Sequence, residues 1–169
     1  MATILTTTYD STTDTTALTI TLASLATSSS LLVGRESTAV SNVSNLYVDA
    51  LVSGQITTGT TPTAGTIEVW AYGLIKHATS TATYPSPVTG TDAAITFVAE
   101  TKLRHLITSI STNTTSNTAY TVPPTSIASL FGVLPIKWGV VVIHSTGVNL
   151  NATAGNHWIH MQGIKYTNT

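Results

Sequence analysis

Acid–base or metal chemistry in this chain would fall to seven carboxylates and five histidines, because cysteine is absent. Asp49 and Glu68 lie on strand-like segments. They would suit a glycoside hydrolase if they faced each other across a cleft. Their other reading is two solvent-facing charges that keep sheet edges from pairing, and this is the one expected, since the surrounding sequence supplies no polar sugar cleft. The histidines are His77, His105, His144, His157 and His160. Two metal ligands on one strand need i, i+2 spacing, because alternate side chains share a face. His157 and His160 are three apart and would face opposite sides of a regular strand. His105 and His144 read as sheet residues with a hydrogen bond each. The serines form no nucleophile elbow, and neither a phosphate-binding loop nor a dinucleotide fingerprint occurs. The expectation is no catalytic, cofactor-binding or metal-binding residue, and no enzyme.

Other residues are suited to contact rather than to reaction. Arg35 and Glu36 adjoin in VGRES (33–37), in a chain of which only 8% is charged. They would form either a clamp between subunits or a local surface ion pair. Trp70, Tyr72, Trp138, Trp158 and Tyr166 all fall on expected strands. Exposed beside neutral polar groups, such rings stack on sugars; in a sandwich they more often belong to the core or to a subunit contact. Arg35, Glu36, Trp70, Tyr72 and Trp158 are the candidates for subunit contact or stacking.

Strands must position these residues. The chain holds 36 threonines and 17 serines, nearly a third of its length, and Thr, Val and Ile favour strands over helices. Period-two alternation recurs in 17–23, 45–56 and 66–76, with further strands expected at 93–99, 102–111, 117–122, 137–145 and 157–166. Pro85 and Pro87 exclude a central strand from 77–92, and Pro123 with Pro124 is expected to close the strand before it. The segment 137–145 is built around an apolar run, as in a strand buried on both faces. One short helical turn is expected at 126–132, capped by Ser126 and stopped by Gly132. About eight strands with no βαβ alternation predict an all-β fold, an antiparallel, jelly-roll-like sandwich. Residues 17–169 would form one such domain. Residues 1–16, low in complexity, would be an N-terminal extension, either frayed or an arm ordered on a neighbouring subunit.

The bulk properties bound the partners. A length of 169 residues suits one domain. Six Lys and Arg against seven Asp and Glu leave a net charge of −1, which argues against nucleic acid as a partner. The longest apolar run, 139–143, is far short of the ~20 residues of a membrane helix, so no membrane partner is expected. The opening MATILTTTYDST has no basic or apolar leader region, which predicts synthesis in a cytoplasm without a signal peptide.

Three blocks carry a resemblance: ITLASLATSSSLLVGRESTAVSNVSNLYVDALVSGQITTGTTPTAGTIEVWAYG (20–73), SIASLFGVLPIKWGVVVIHSTG (126–147) and NATAGNHWIHMQGIKY (151–166). The layout resembles small Thr/Ser-rich, cysteine-free virion proteins of tailed bacteriophages. That resemblance implies a structural role without catalytic residues. It implies a capsid decoration (cement) protein on the outer capsid surface, forming a homo-oligomer, with a trimer favoured, on the major capsid protein. A tail, neck or fibre component, or a carbohydrate-binding sandwich used in adhesion, is the alternative. No cofactor is implied. A neutral hydroxyl surface suits such packing, because copies approach without charge repulsion.

Overall fold

Alternation of apolar and hydroxyl side chains is realised as two antiparallel sheets. The computed structural model describes residues 5–10, 16–77, 82–103 and 105–168. The first sheet runs β1 (Leu5–Tyr9), β13 (Trp158–Asn168), β5 (Asp49–Thr57), β11 (Ala119–Ser126), with the short β2 (Thr16–Ala17) also on β13. The second runs β10 (His105–Thr112), β6 (Gly65–Gly73), β12 (Lys137–His144), β3 (Val33–Glu36), β9 (Ala93–Thr96), with β4 (Val40–Ser41) on β12. A separate two-residue pair joins β7 (Lys76–His77) to β8 (Ala82–Thr83). The protein is all-β, and its two sheets form a sandwich-like arrangement.

Period-two burial decides which side chains meet between the sheets. The first sheet supplies Ala50, Val52, Ile56, Ile159 and Met161, and the second supplies Ile67, Val69, Ala71, Trp138, Val140 and Val142. Strand β12 is buried on both faces, as its apolar run predicts. The reason is a second cluster on the outer side of its sheet. There Val141, Ile143, Tyr72 and Ile95 of β9 are covered by Val88, Phe97 and Leu103, so the segments on either side of β9 close over this sheet.

Several local expectations met competing physics. Residues 17–23 alternate in burial, with Leu18 and Leu22 interior, yet only Thr16–Ala17 is strand. Beyond it the Leu18 amide donates to the Ile159 carbonyl and the Thr38 amide to the Thr19 carbonyl. This segment therefore closes the side of the core rather than extending a sheet. Pro123 and Pro124 do not end their strand: β11 continues to Ser126 with a register shift between Val122 and Thr125. An edge strand with a bulge needs no N–H from those positions. The helical turn forms as expected. Helix α1 (Ile127–Phe131) starts where the Ser129 amide donates to Ser126 Oγ at 3.0 Å, and it stops at Gly132 with φ 81°.

Of the expected N-terminal arm, residues 1–4 and 11–15 lie outside the described residues. Strand β1 pairs along β13, from Tyr9 against Ile164 to Leu5 against Asn168. Beside it the Tyr47 hydroxyl donates to Asp10 at 2.9 Å, and Lys165 Nζ lies 3.2 Å from the same carboxylate.

The two ends of the sandwich hold different segments. Loops 58–64, 113–118 and 145–157 meet at one end, tied by a Thr58–Leu150 bridge and by the Asn117 amide on the Gly59 carbonyl. Residues 42–48, 74–75 and 127–136 gather at the other. There the Asn42 amide donates to the Ile136 carbonyl and the Leu74 amide to the Lys137 carbonyl.

Candidate functional site

Arg35 and Glu36 do not pair with each other, because successive residues of β3 point to opposite faces. Arg35 donates through Nε to the Asp92 carboxylate and through Nη2 to the Asp92 carbonyl at 3.0 Å. The Thr21 amide and hydroxyl donate to the same carboxylate at 3.1 and 2.6 Å. Burial raises the Asp92 pKa, but the bonds from Arg35 and Thr21 outweigh it and hold the carboxyl below its ordinary value. Glu36 turns inward and is 1% exposed. Its carboxylate accepts from the Thr89 amide, the Thr89 hydroxyl and the Gly90 amide. The local surface ion pair expected of these neighbours is therefore not formed: each side chain is spent on a different loop contact.

The aromatic candidates separate in the same way. Tyr72 is interior rather than on a surface. Its hydroxyl donates to the Ser37 carbonyl at 2.6 Å, directly over Gly139, where a Cβ would collide with that hydroxyl. Burial pushes its pKa well above the usual tyrosine range. Trp70 is half-buried and engaged by its own chain: its Nε1 donates to Glu68, Lys102 donates to the same oxygen, and the Lys102 ammonium lies 5.0 Å from the Trp70 ring centre. Trp138 is fully buried. Trp158 alone of the tryptophans opens outward, 40% exposed. It lies against His160 with ring centres 5.0 Å apart and opposite Gln55 in register. Tyr166, also exposed, shares this outer face of the first sheet.

Asp49 and Glu68 are not brought together. They belong to strands of different sheets. Both alternate with the core-facing residues of their strands, so they lie on opposite outer faces. Asp49 accepts from the Ser126 hydroxyl and the Ala128 amide, fixing the start of α1, and Glu68 is held by Lys102 at 2.7 Å. A hydrolase built on this carboxylate pair has no shared cleft to work in.

The histidines are likewise dispersed. His144 is interior, hydrogen-bonded through Nδ1 to the Thr146 hydroxyl and through Nε2 to the Leu25 carbonyl, each at 3.0 Å. Burial lowers its pKa. His157 receives the Thr57 amide on Nδ1, so the proton sits on Nε2 and is donated to the Asn151 carbonyl at 2.8 Å. His105 stacks on Phe131 with ring centres 3.9 Å apart. The side chain of His77 lies outside the described residues. Among the described residues, no three His, Asp or Glu side chains cluster as a metal site.

Besides the Trp158 face, two features able to engage a partner lie at the two ends of the sandwich, and their chemistry is opposite. At the end carrying α1, Leu46 is 75% exposed, Val133 70% and Ile75 68%, with Val43 and Ile136 also exposed. An apolar cleft of about 480 Å³ opens among Ile75, Leu103, His105, Phe131 and Pro135, with Glu100 and Lys102 also in its wall. The far end carries a cleft of about 500 Å³ lined by Thr60, Thr61, Asn117, Asn149, Asn151 and Thr153, with no charged residue in its wall. Leu46 and Ile75 fall inside the segments expected as strands, 45–56 and 66–76, but lie just outside β5 and β6. Val43, Val133 and Ile136 belong to no alternating segment, so reasoning from alternation did not assemble this surface. The readable signal was apolar side chains inside turn-rich stretches, NVSNLY (42–47) and GVLPI (132–136), where a loop has no core to enter.

The chain matches no protein-family model, no curated protein and no solved structure. Its functional reading therefore rests on its own geometry and on the block resemblance.

Proposed function

We propose that this protein is a non-enzymatic structural component of a tailed-bacteriophage virion, a capsid decoration (cement) protein that docks on the head shell through its apolar end. The observation that carries the reading is the concentration of Leu46, Val133, Ile75, Val43 and Ile136, all exposed, at one end of the sandwich. Exposed apolar side chains gathered at one end of a domain suit an interaction site. Its partners in this reading are the major capsid protein and copies of itself, with a trimer matching the local threefold axes of a shell.

The same proposal reads the sandwich as a jelly roll. Numbered along the chain, β1, β3, β5, β6, β10, β11, β12 and β13 are eight principal strands. They pair in the orders 1-8-3-6 and 2-7-4-5, with β9 added outside β3, and the two four-strand orders are those that two Greek keys generate. Jelly rolls serve in viral capsids and in lectins, so the topology supports both a shell role and an adhesive one. Adhesion to glycans is the second reading, favoured by Trp158, whose exposed ring lies beside His160 and Gln55.

The test is composition and location in purified particles, by mass spectrometry and electron microscopy. The expected result is density for this chain on the outer shell, in threefold sets. Particles that assemble normally without the protein would overturn the proposal. Density at the tail alone would remove the decoration role and leave a tail component.

A further inference from the structure

The cleft at the polar end is unlike ordinary loop surface in three respects. Its wall is made of amides, hydroxyls and a few small apolar groups, and it contains no charge. Three non-glycine residues that line it, Ser24, Thr61 and Asn117, hold left-handed backbone, with φ of 57°, 52° and 55°. Such conformations cost free energy and persist where the surroundings enforce them. The enforcing bonds are present. Asn151 Nδ2 donates to Asn117 Oδ1 at 2.8 Å, the Thr153 amide and Asn156 Nδ2 donate to Asn151 Oδ1, and the Thr61 amide donates to Ser116 Oγ at 2.8 Å. From behind, His157 and the Ser24 amide both donate to the Asn151 carbonyl. The wall is thus fixed before any ligand arrives, which lowers the cost of binding.

What the wall leaves unspent defines the ligand. Among the described residues, no hydrogen bond engages the side chains of Thr60, Thr61, Asn149 or Thr153. Hydroxyls and amides present donor and acceptor together. Adjacent hydroxyls of a sugar ring demand that mixture, whereas an ion would demand an opposite charge, and the wall has none. Val148 and Ala152, also in the wall, offer apolar surface to the C–H face of a ring.

We propose that this cleft binds a neutral oligosaccharide, in contact with Thr60, Asn117, Asn149 and Thr153. The inference rests on the adhesion reading and moves the sugar from the Trp158 face to the polar end. With the apolar end seated on a shell, the cleft would point away from it.

The test is amide chemical-shift mapping of the intact protein with cellopentaose, chitopentaose and a mannopentaose as probes. At least one probe is expected to move the side-chain amide signals of Asn117 and Asn149. Asn149→Ala and Thr60→Val, both at exposed positions, are each expected to weaken that binding about fivefold to tenfold without altering the rest of the spectrum. Shifts confined to Trp158, His160 and Gln55, abolished by Trp158→Ala, would overturn the cleft and leave adhesion standing. No shift with any probe at millimolar concentration would overturn both.

Discussion

The buried Glu36 and the exposed Thr89, 53 residues apart in sequence, meet where Thr89 gives both its amide and its hydroxyl to one carboxylate. This contact fastens the loop around 84–92 over the outer face of the second sheet. Replacing the carboxylate leaves the Thr89 and Gly90 donors without an acceptor. Glu36→Ala should therefore cost about 2–4 kcal/mol. Thr89→Ala keeps both backbone bonds and should cost about 1–2 kcal/mol. Urea unfolding checks the order. Equal losses would mean that the hydroxyl, not the pair of amides, holds the loop.

Acidification should weaken the fold in two separate windows. Burial keeps the His144 pKa below its ordinary 6.5, so the folded state holds the ring neutral. The unfolded chain takes up a proton below that value, and the stability contributed by His144 is lost as pH falls from 6.5 toward its folded pKa. Asp92 acts lower. Its pKa is held below the ordinary 3.8, so its contribution is present above that value and disappears as pH falls through the folded pKa. Urea midpoints compared at about pH 7.5 and about pH 5.5 should fall, and His144→Gln should flatten that difference. An unchanged slope in the variant would assign the loss to another group.

The parts of the fold legible in the sequence are those governed by alternation. The core positions of β5, β6 and β12, and the capped turn at Ser126, follow from local periodicity and cap chemistry. Residues 17–23 carry the same periodicity, but burial of Leu18 and Leu22 does not require ladder pairing, so pattern alone misassigned their backbone. The candidate sites were harder to read. Arg35 and Glu36 adjoin in sequence, yet their partners, Asp92 and Thr89, are brought in by a loop whose course no local pattern specifies. Tyr72 alternates outward from the first core and is buried again by residues 84–103, a cover that only tertiary structure reveals. The polar cleft assembles from four separate segments, and its polar residues are ordinary turn formers in each.

The center of the sandwich should tolerate no charge. Val142 is fully buried between the sheets and flanked in register by Val69 and Arg35. Val142→Asp places a buried carboxylate there, whose neighbouring cation, Arg35, is already held by Asp92, at a cost of several kcal/mol, comparable to the whole stability of a domain. The variant is expected to be insoluble or unfolded. Val142→Ala, which only opens a cavity, should remain folded with a loss of about 1–3 kcal/mol. A soluble, cooperatively folding aspartate variant would contradict this placement of the core.

The apolar end separates docking from folding, because its exposed side chains contribute little to the core. Leu46→Asp with Val133→Asp alters two positions that are 75% and 70% exposed. Surface changes of this kind usually move stability by no more than about 0.5 kcal/mol each. Thermal unfolding of the double variant should therefore match that of the parent. Attachment to particles should be lost, since two charges in an apolar contact must be desolvated without partners. Co-sedimentation with decoration-free shells measures the outcome. Sedimentation of the isolated protein shows whether the same end also joins copies of the chain. Full attachment of a well-folded double variant would exclude this end as the docking surface. Loss of attachment with loss of folding would contradict the assignment of these side chains as exposed.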